Sequence, residues 1–117
     1  MGFIHQQARA ADFILSEANG QRSRENAVLE AVDTDQVAGT LLTKKASGSY
    51  APYTGPGADE ENPISADAVL YAGVPASGES QQIVIVARAS EVASALLVGL
   101  DASARATLEK QGVIVRD

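Results

Sequence analysis

The side chains able to do chemistry are few and widely spaced. There is no cysteine, and His5 is the single histidine. Within one chain this excludes a thiolate nucleophile, a disulfide framework, a Cys/His metal cluster and a conventional catalytic triad. Asp59-Glu60-Glu61 gathers three carboxylates, but it lacks the alternating oxygen ligands and turn glycine of a dedicated Ca²⁺ loop. It reads as a solvated loop. Ser77-Gly78 has no base near it in sequence, and Arg22, Arg24 and Glu25 sit in a polar run that reads as solvated chain. Lys44-Lys45 is the one adjacent basic pair and reads as a turn. Glycine-rich loops occur, but none follows a strand and opens a helix, as a phosphate site requires. The expectation is therefore no catalytic, metal-binding or cofactor-binding residues, and a protein that is not an enzyme.

Composition narrows the partners. Fifteen acidic against nine basic residues leave a net charge of −6, which argues against binding nucleic acid, where affinity comes from neutralising phosphates. No apolar run approaches the ~20 residues of a membrane span. The first residues lack the basic start and apolar centre of a secretory signal, so a soluble chain not secreted by that route is expected. With no tryptophan, an aromatic platform for sugars or nucleotides is not expected.

Two elements must organise whatever site exists. Ala68–Val74 and Ile83–Ala87 are apolar and rich in β-branched residues, and the polar connector Pro75–Gln82 separates them. They read as two strands of one ribbon. Ile83-Val84-Ile85-Val86 is apolar at every position, which requires cover on both faces and makes it the centre of the core. Val37–Thr43 and Ser49–Tyr53 flank a turn at Ala46-Ser47-Gly48 and form a second hairpin. Pro52 has no N–H, so its strand is an edge or very short. Ser90–Gly99 fits helix or strand. Leu100–Gly112 reads as a helix with Asp101 or Ser103 as N-cap and Gly112 as its left-handed stop. Val113-Ile114-Val115 follows as a last strand.

The first 35 residues differ. Phe3, Ile4, Gln7, Ala8, Ala11, Ile14 and Leu15 fall near helical spacing. Ser16–Asn26 holds no large apolar side chain and cannot offset an ordering cost of ~1–2 kcal/mol per residue. Ala27–Val32 could be a strand without an evident partner. The expected organisation is a flexible N-terminal arm, 1–35, and a compact β-rich domain, 36–117. A domain of about 80 residues is marginal without staples, and with no disulfide or metal the remaining device is oligomerisation.

Phe13–Asn26 (Phe-Ile-Leu-Ser-Glu-Ala-Asn-Gly-Gln-Arg-Ser-Arg-Glu-Asn) and Val37-Ala-Gly-Thr-Leu-Leu-Thr43 resemble the start of lambda-like phage head decoration proteins. The similarity continues through Tyr50-Ala-Pro-Tyr53, Ala68–Val74 and Ile83–Arg88 and ends at Gly112–Arg116. The match departs at Thr43-Lys44-Lys45, where family members often carry a Gly-Lys pair, and Met1–Asp12 lies outside it. The resemblance implies a mainly β, β-clip-like fold with one or two short helices, assembled as a homotrimer. It implies a protein of the virion, made in the host cytoplasm. There it would bind the major capsid protein on the outside of the expanded shell at three-fold positions and stabilise it against packaged DNA. The arm is implied to be disordered when free and to add β-structure to the capsid protein. By that match the capsid-engaging segment is Ser23, Arg24, Glu25, Asn26, Ala27, Val28, Leu29, Glu30, Ala31 and Val32. The rival reading from another class is an oligomeric carbohydrate- or protein-binding module of a phage tail or fibre.

Overall fold

Strand β6 (Gln81–Val86) is the element on which the rest is assembled. A computed structural model of the chain describes residues 14–17, 24–55 and 64–117. Around β6 stand β1 (Ile14–Glu17), β2 (Arg24–Leu29), β3 (Leu41–Lys44), β4 (Tyr50–Pro52), β5 (Ala68–Leu70), β7 (Ser90–Ala93), helix α1 (Ala102–Gln111) and β8 (Val113–Arg116). Five strands close a barrel in the order β2-β4-β3-β5-β6, and β1-β7-β8 form a separate three-stranded sheet. The fold is mainly β; the described residues include one α-helix and one 3-10 turn at Ser94–Leu96.

The alternation of β side chains explains the two-layered core. One set from β3, β5 and β6 (Leu42, Ala68, Leu70, Ile83 and Ile85) fills the barrel with Leu29 and Tyr50. The intervening set, Leu41, Val69 and Val86, points out of the barrel and packs on Val92, Ala104, Leu108 and Val113. Register keeps the sets apart: Leu41 stands opposite Val69 and Val69 opposite Val86. Leu42 stands opposite Ala68, and Leu70 opposite Ile85. This is why Ile83–Val86 is apolar without alternation. Ile83 and Ile85 line the barrel; on the other face Val86 lies under the helix and second sheet, while Val84 is half-buried beside Tyr71 and Asn26. Burying each such side chain contributes on the order of 1.5–3 kcal/mol.

Helix α1 begins where expected. The Asp101 carboxylate accepts a 2.7 Å bond from the Ala104 N–H, satisfying one of the first-turn donors. The Tyr53 hydroxyl donates to the same carboxylate at 3.0 Å, so the cap also ties the helix to the chain leaving β4. Burial first, and then the hydrogen bond to Asp101, hold the Tyr53 hydroxyl above its ordinary pKa of 10.0. Gly112 ends the helix at φ 92°, a conformation glycine adopts without steric penalty. The chain then enters β8 parallel to β7.

Three expectations differ from the structure. Ile14 and Leu15, placed on a helical face by spacing, lie in β1, which pairs antiparallel with β7. The remainder of that pattern, from Phe3 to Ala11, lies outside the described residues. The strand expected over Ala68–Val74 ends at Leu70, and Val74 pairs instead with Gln36 through 2.8 Å bonds in both directions. Arg24–Asn26, expected to be mobile, belong to β2, whose six residues all pair with β6. β2 has little apolar surface of its own. Its order comes from the hydrogen-bonding edge of β6 and from Leu29, which is fully buried.

Candidate functional site

The residues marked by sequence as the engaging segment fall into three places. Ser23 lies outside the described residues. Arg24 to Leu29 are β2, and Glu30 to Val32 continue along one end of the barrel. Side chains of β2 alternate: Leu29 and Ala27 pack into the barrel, while Val28 is 42% exposed on the outer face and Asn26 is exposed. The Arg24 guanidinium stacks 4.3 Å from the centre of the Tyr71 ring. The Glu25 carboxylate meets Arg88 at 3.3 Å. Both partners of that pair are half-exposed, so it contributes little to stability.

The geometry of the seam between β2 and β4 is the informative feature. One residue pair, Leu29 with Tyr50, joins these strands in parallel. The Glu30 N–H donates to the Tyr50 carbonyl at 2.8 Å, so the peptide groups of Leu29 itself face β6. Alternation along an unbroken register then turns the peptide groups of Ala27 and Glu25 toward β6 and those of Asn26 away from it. Among the described strands none pairs with Asn26 on that outer side. β2 thus presents an open edge ahead of the seam.

Openings flank the pair on both sides. Ahead of it lies a polar cleft lined by Glu25, Lys44, Lys45, Tyr50, Asp67 and Arg88. Burial, and then the charges of Glu25 and Asp67, push the Tyr50 hydroxyl above its ordinary pKa. Behind the pair is a groove of about 1020 Å³ whose walls include Val32, Gln36, Ala51, Pro52 and Ser77. Val32 and Ser77 close that end by exchanging backbone bonds of 3.0 and 2.9 Å. The free edge of β4 there carries Pro52, which has no N–H to offer an incoming strand.

Of the other residues singled out by sequence, Lys44 and Lys45 reach the polar cleft and Ser77 the groove behind the seam, without forming a reactive group. Lys45 sits in the β3–β4 turn, its N–H bonded to the Ser49 carbonyl at 2.7 Å. The Ser77 hydroxyl accepts from the Glu79 N–H at 3.1 Å, within its own turn. His5, Arg22 and Asp59-Glu60-Glu61 lie outside the described residues. Among the described residues no three His, Cys, Asp or Glu side chains gather as metal ligands, and no helix is long and apolar enough to cross a membrane. Sequence reasoning missed the stacking of Arg24 on Tyr71 and the open edge at Asn26. The period-two placement of Ala27 and Leu29 against Asn26 and Val28 was the available signal.

In comparisons with known proteins, no individually curated protein matches the chain. The family model for the bacteriophage lambda head decoration protein D matches residues 3–114. The match begins ten residues before Phe13, where the resemblance in the motifs starts, so most of the first twelve residues also belong to it. With nearly the whole chain covered, this protein belongs to the bacteriophage lambda head decoration protein D family, structural components of the phage capsid.

Proposed function

We propose that the protein assembles in the host cytoplasm as a homotrimer. The trimer docks on the outside of the expanded capsid at three-fold positions and reinforces the shell against the pressure of packaged DNA. Its partner is the major capsid protein of the same phage; it takes no cofactor, catalyses nothing and binds neither nucleic acid nor membrane. The observation that carries this reading is the family match across residues 3–114. Capsid engagement is placed in the Ser23–Val32 segment and runs through main-chain bonds to the open edge of β2. The boundary near residue 35 is then one of role. Residues before it supply the capsid contact, even though β2 is built into the barrel that the later residues form.

Strand addition draws its affinity from main-chain hydrogen bonds, with alternate side chains giving specificity. Asn26→Pro removes a donor that faces the open edge and leaves the bonds to β6 in place. It should keep the fold and weaken binding to purified expanded capsids at least about tenfold, roughly 1.4 kcal/mol. Asn26→Ala should bind nearly as wild type. Co-sedimentation with expanded and unexpanded capsids reads both points. Wild-type binding by Asn26→Pro removes the edge mechanism, and failure of the wild type to prefer expanded shells removes the decoration reading.

A further inference from the structure

The barrel strands all turn one end toward the polar cleft ahead of the seam. β2 and β5 run antiparallel to β6, and β3 runs antiparallel to both β4 and β5. The starts of β2, β4 and β5 therefore lie at one end of the barrel, beside the finishes of β3 and β6. Glu25, Lys44, Tyr50, Asp67 and Arg88 stand at those strand ends, and all of them line the cleft together with Lys45 from the β3–β4 turn. The cleft is the mouth of the barrel. It encloses about 590 Å³, and barrel mouths are a preferred place for small ligands.

Its charged groups are not equivalent. The two acidic ones are already engaged. Glu25 meets Arg88 at 3.3 Å. Asp67 accepts the Lys44 N–H at 2.8 Å on one carboxylate oxygen and the Ser65 hydroxyl at 2.7 Å on the other. Lys44 and Lys45 are exposed, and among the described residues their ammonium groups form no ion pair. Tyr50 is 6% exposed, its ring packed in the barrel with Leu29, Leu42 and Ile85. Its hydroxyl feels the charges of Glu25, Asp67 and Arg88, which sets it at the mouth. Among the described residues that hydroxyl has no hydrogen-bond partner, yet it is not sealed from the cleft. A phenol so deeply buried ordinarily has a partner. Raised above its ordinary pKa, it keeps its proton and is a donor at neutral pH.

We propose that the barrel mouth is a carboxylate-binding site, in which the Lys44 and Lys45 ammonium groups and the Tyr50 hydroxyl donate to the bound group. The lining selects this class of ligand. Lys44, Lys45 and Arg88 against Glu25 and Asp67 leave it at 3 − 2 = +1, which one carboxylate balances. A phosphate monoester carries about −1.5 to −2 and would set its excess charge beside Glu25 and Asp67. A carboxylate also has acceptor sites for three donors. Its source is either a free acid or an acidic side chain of the protein on which the barrel docks. The site goes beyond the decoration reading, and its first test needs no capsid.

That test titrates the purified protein with a blocked glutamate (N-acetyl, C-amide), followed by NMR. Saturable shifts are expected at Lys44, Lys45 and Tyr50, with none from blocked glutamine and at least about tenfold weaker binding of inorganic phosphate. Lys44→Met and Lys45→Met should each weaken binding at least about tenfold, the effect of one charge-assisted hydrogen bond. Tyr50→Phe keeps the buried ring and should weaken it about threefold or more. Arg116→Met, outside the mouth, should bind as wild type. Co-sedimentation of Lys44→Met/Lys45→Met with capsids separates the sources. Capsid binding lost along with glutamate binding assigns the carboxylate to the shell, and capsid binding retained assigns it to a free acid. The proposal is overturned by absence of saturable shifts, by equal binding of blocked glutamine or phosphate, or by lysine and tyrosine variants that bind as wild type.

Discussion

Leu29→Ala tests whether β2 is an integral stave of the barrel or an arm laid against it. Leu29 is fully buried among Leu42, Tyr50, Leu70, Ile83 and Ile85, and it forms the pair with Tyr50 that closes the barrel. Truncating a buried leucine costs about 2–5 kcal/mol, with the higher values where the surroundings cannot collapse into the space. Leu29 is held by the β2–β6 ladder on one side and by its pair with Tyr50 on the other, so the space it leaves collapses poorly and the upper half of that range is expected. For a domain of this size, about 4–8 °C of melting temperature per kcal/mol makes the shift at least about 15 °C. Val28→Ala is the internal control. Its side chain is 42% exposed on the outer face and should cost less than about 1 kcal/mol. The assay is urea unfolding followed by circular dichroism, with all variants at one protein concentration because assembly adds to apparent stability. Equal midpoints for the two variants, both close to wild type, would show that β2 leaves the barrel freely and would refute the reading of the seam.

Three further outcomes follow from the same structure. Asp101→Ala removes the α1 cap and the acceptor of the Tyr53 hydroxyl together and should cost about 1–3 kcal/mol; Asp101→Asn should recover part of it, read by thermal melts. Burial raises the Tyr53 and Tyr50 hydroxyls above 10.0, so the folded state holds these protons more tightly than the unfolded chain. Their contribution is complete below pH 10 and falls as pH rises from there through the folded values, by at most about 1.4 kcal/mol per unit for each group. Urea midpoints across the alkaline range should decline, and less steeply in Tyr53→Phe. Gly39→Ala places a side chain in the left-handed region and against the Leu96 carbonyl; it should cost more than the ~1–2 kcal/mol of the backbone term alone and raise amide exchange at 96–98.

Much of the body was legible from local pattern. The β3–β4 hairpin, the cap and stop of α1 and the last strand each follow from signals carried within a few residues: the Ala46-Ser47-Gly48 turn, Asp101 and Gly112. The centrality of Ile83–Val86 was legible too, because a strand without alternation must be covered twice. The early segment was not. Ile14 and Leu15 have helical spacing, yet their conformation is set by the unpaired edge of β7, almost eighty residues away in sequence. No window around Ile14 contains that information.

The sequence by itself therefore determined the class of chain, mainly β with a capped helix and without cysteine, and the family its motifs resemble. Only the tertiary structure decided that β2 completes a barrel, that Asn26 turns its peptide group away from β6, and that Lys44, Lys45 and Tyr50 share one mouth. The physical reason is common to all three. Strand pairing and burial are properties of distant partners, so a short polar segment acquires order, an open edge or a place in a shared mouth only from what the rest of the chain places beside it.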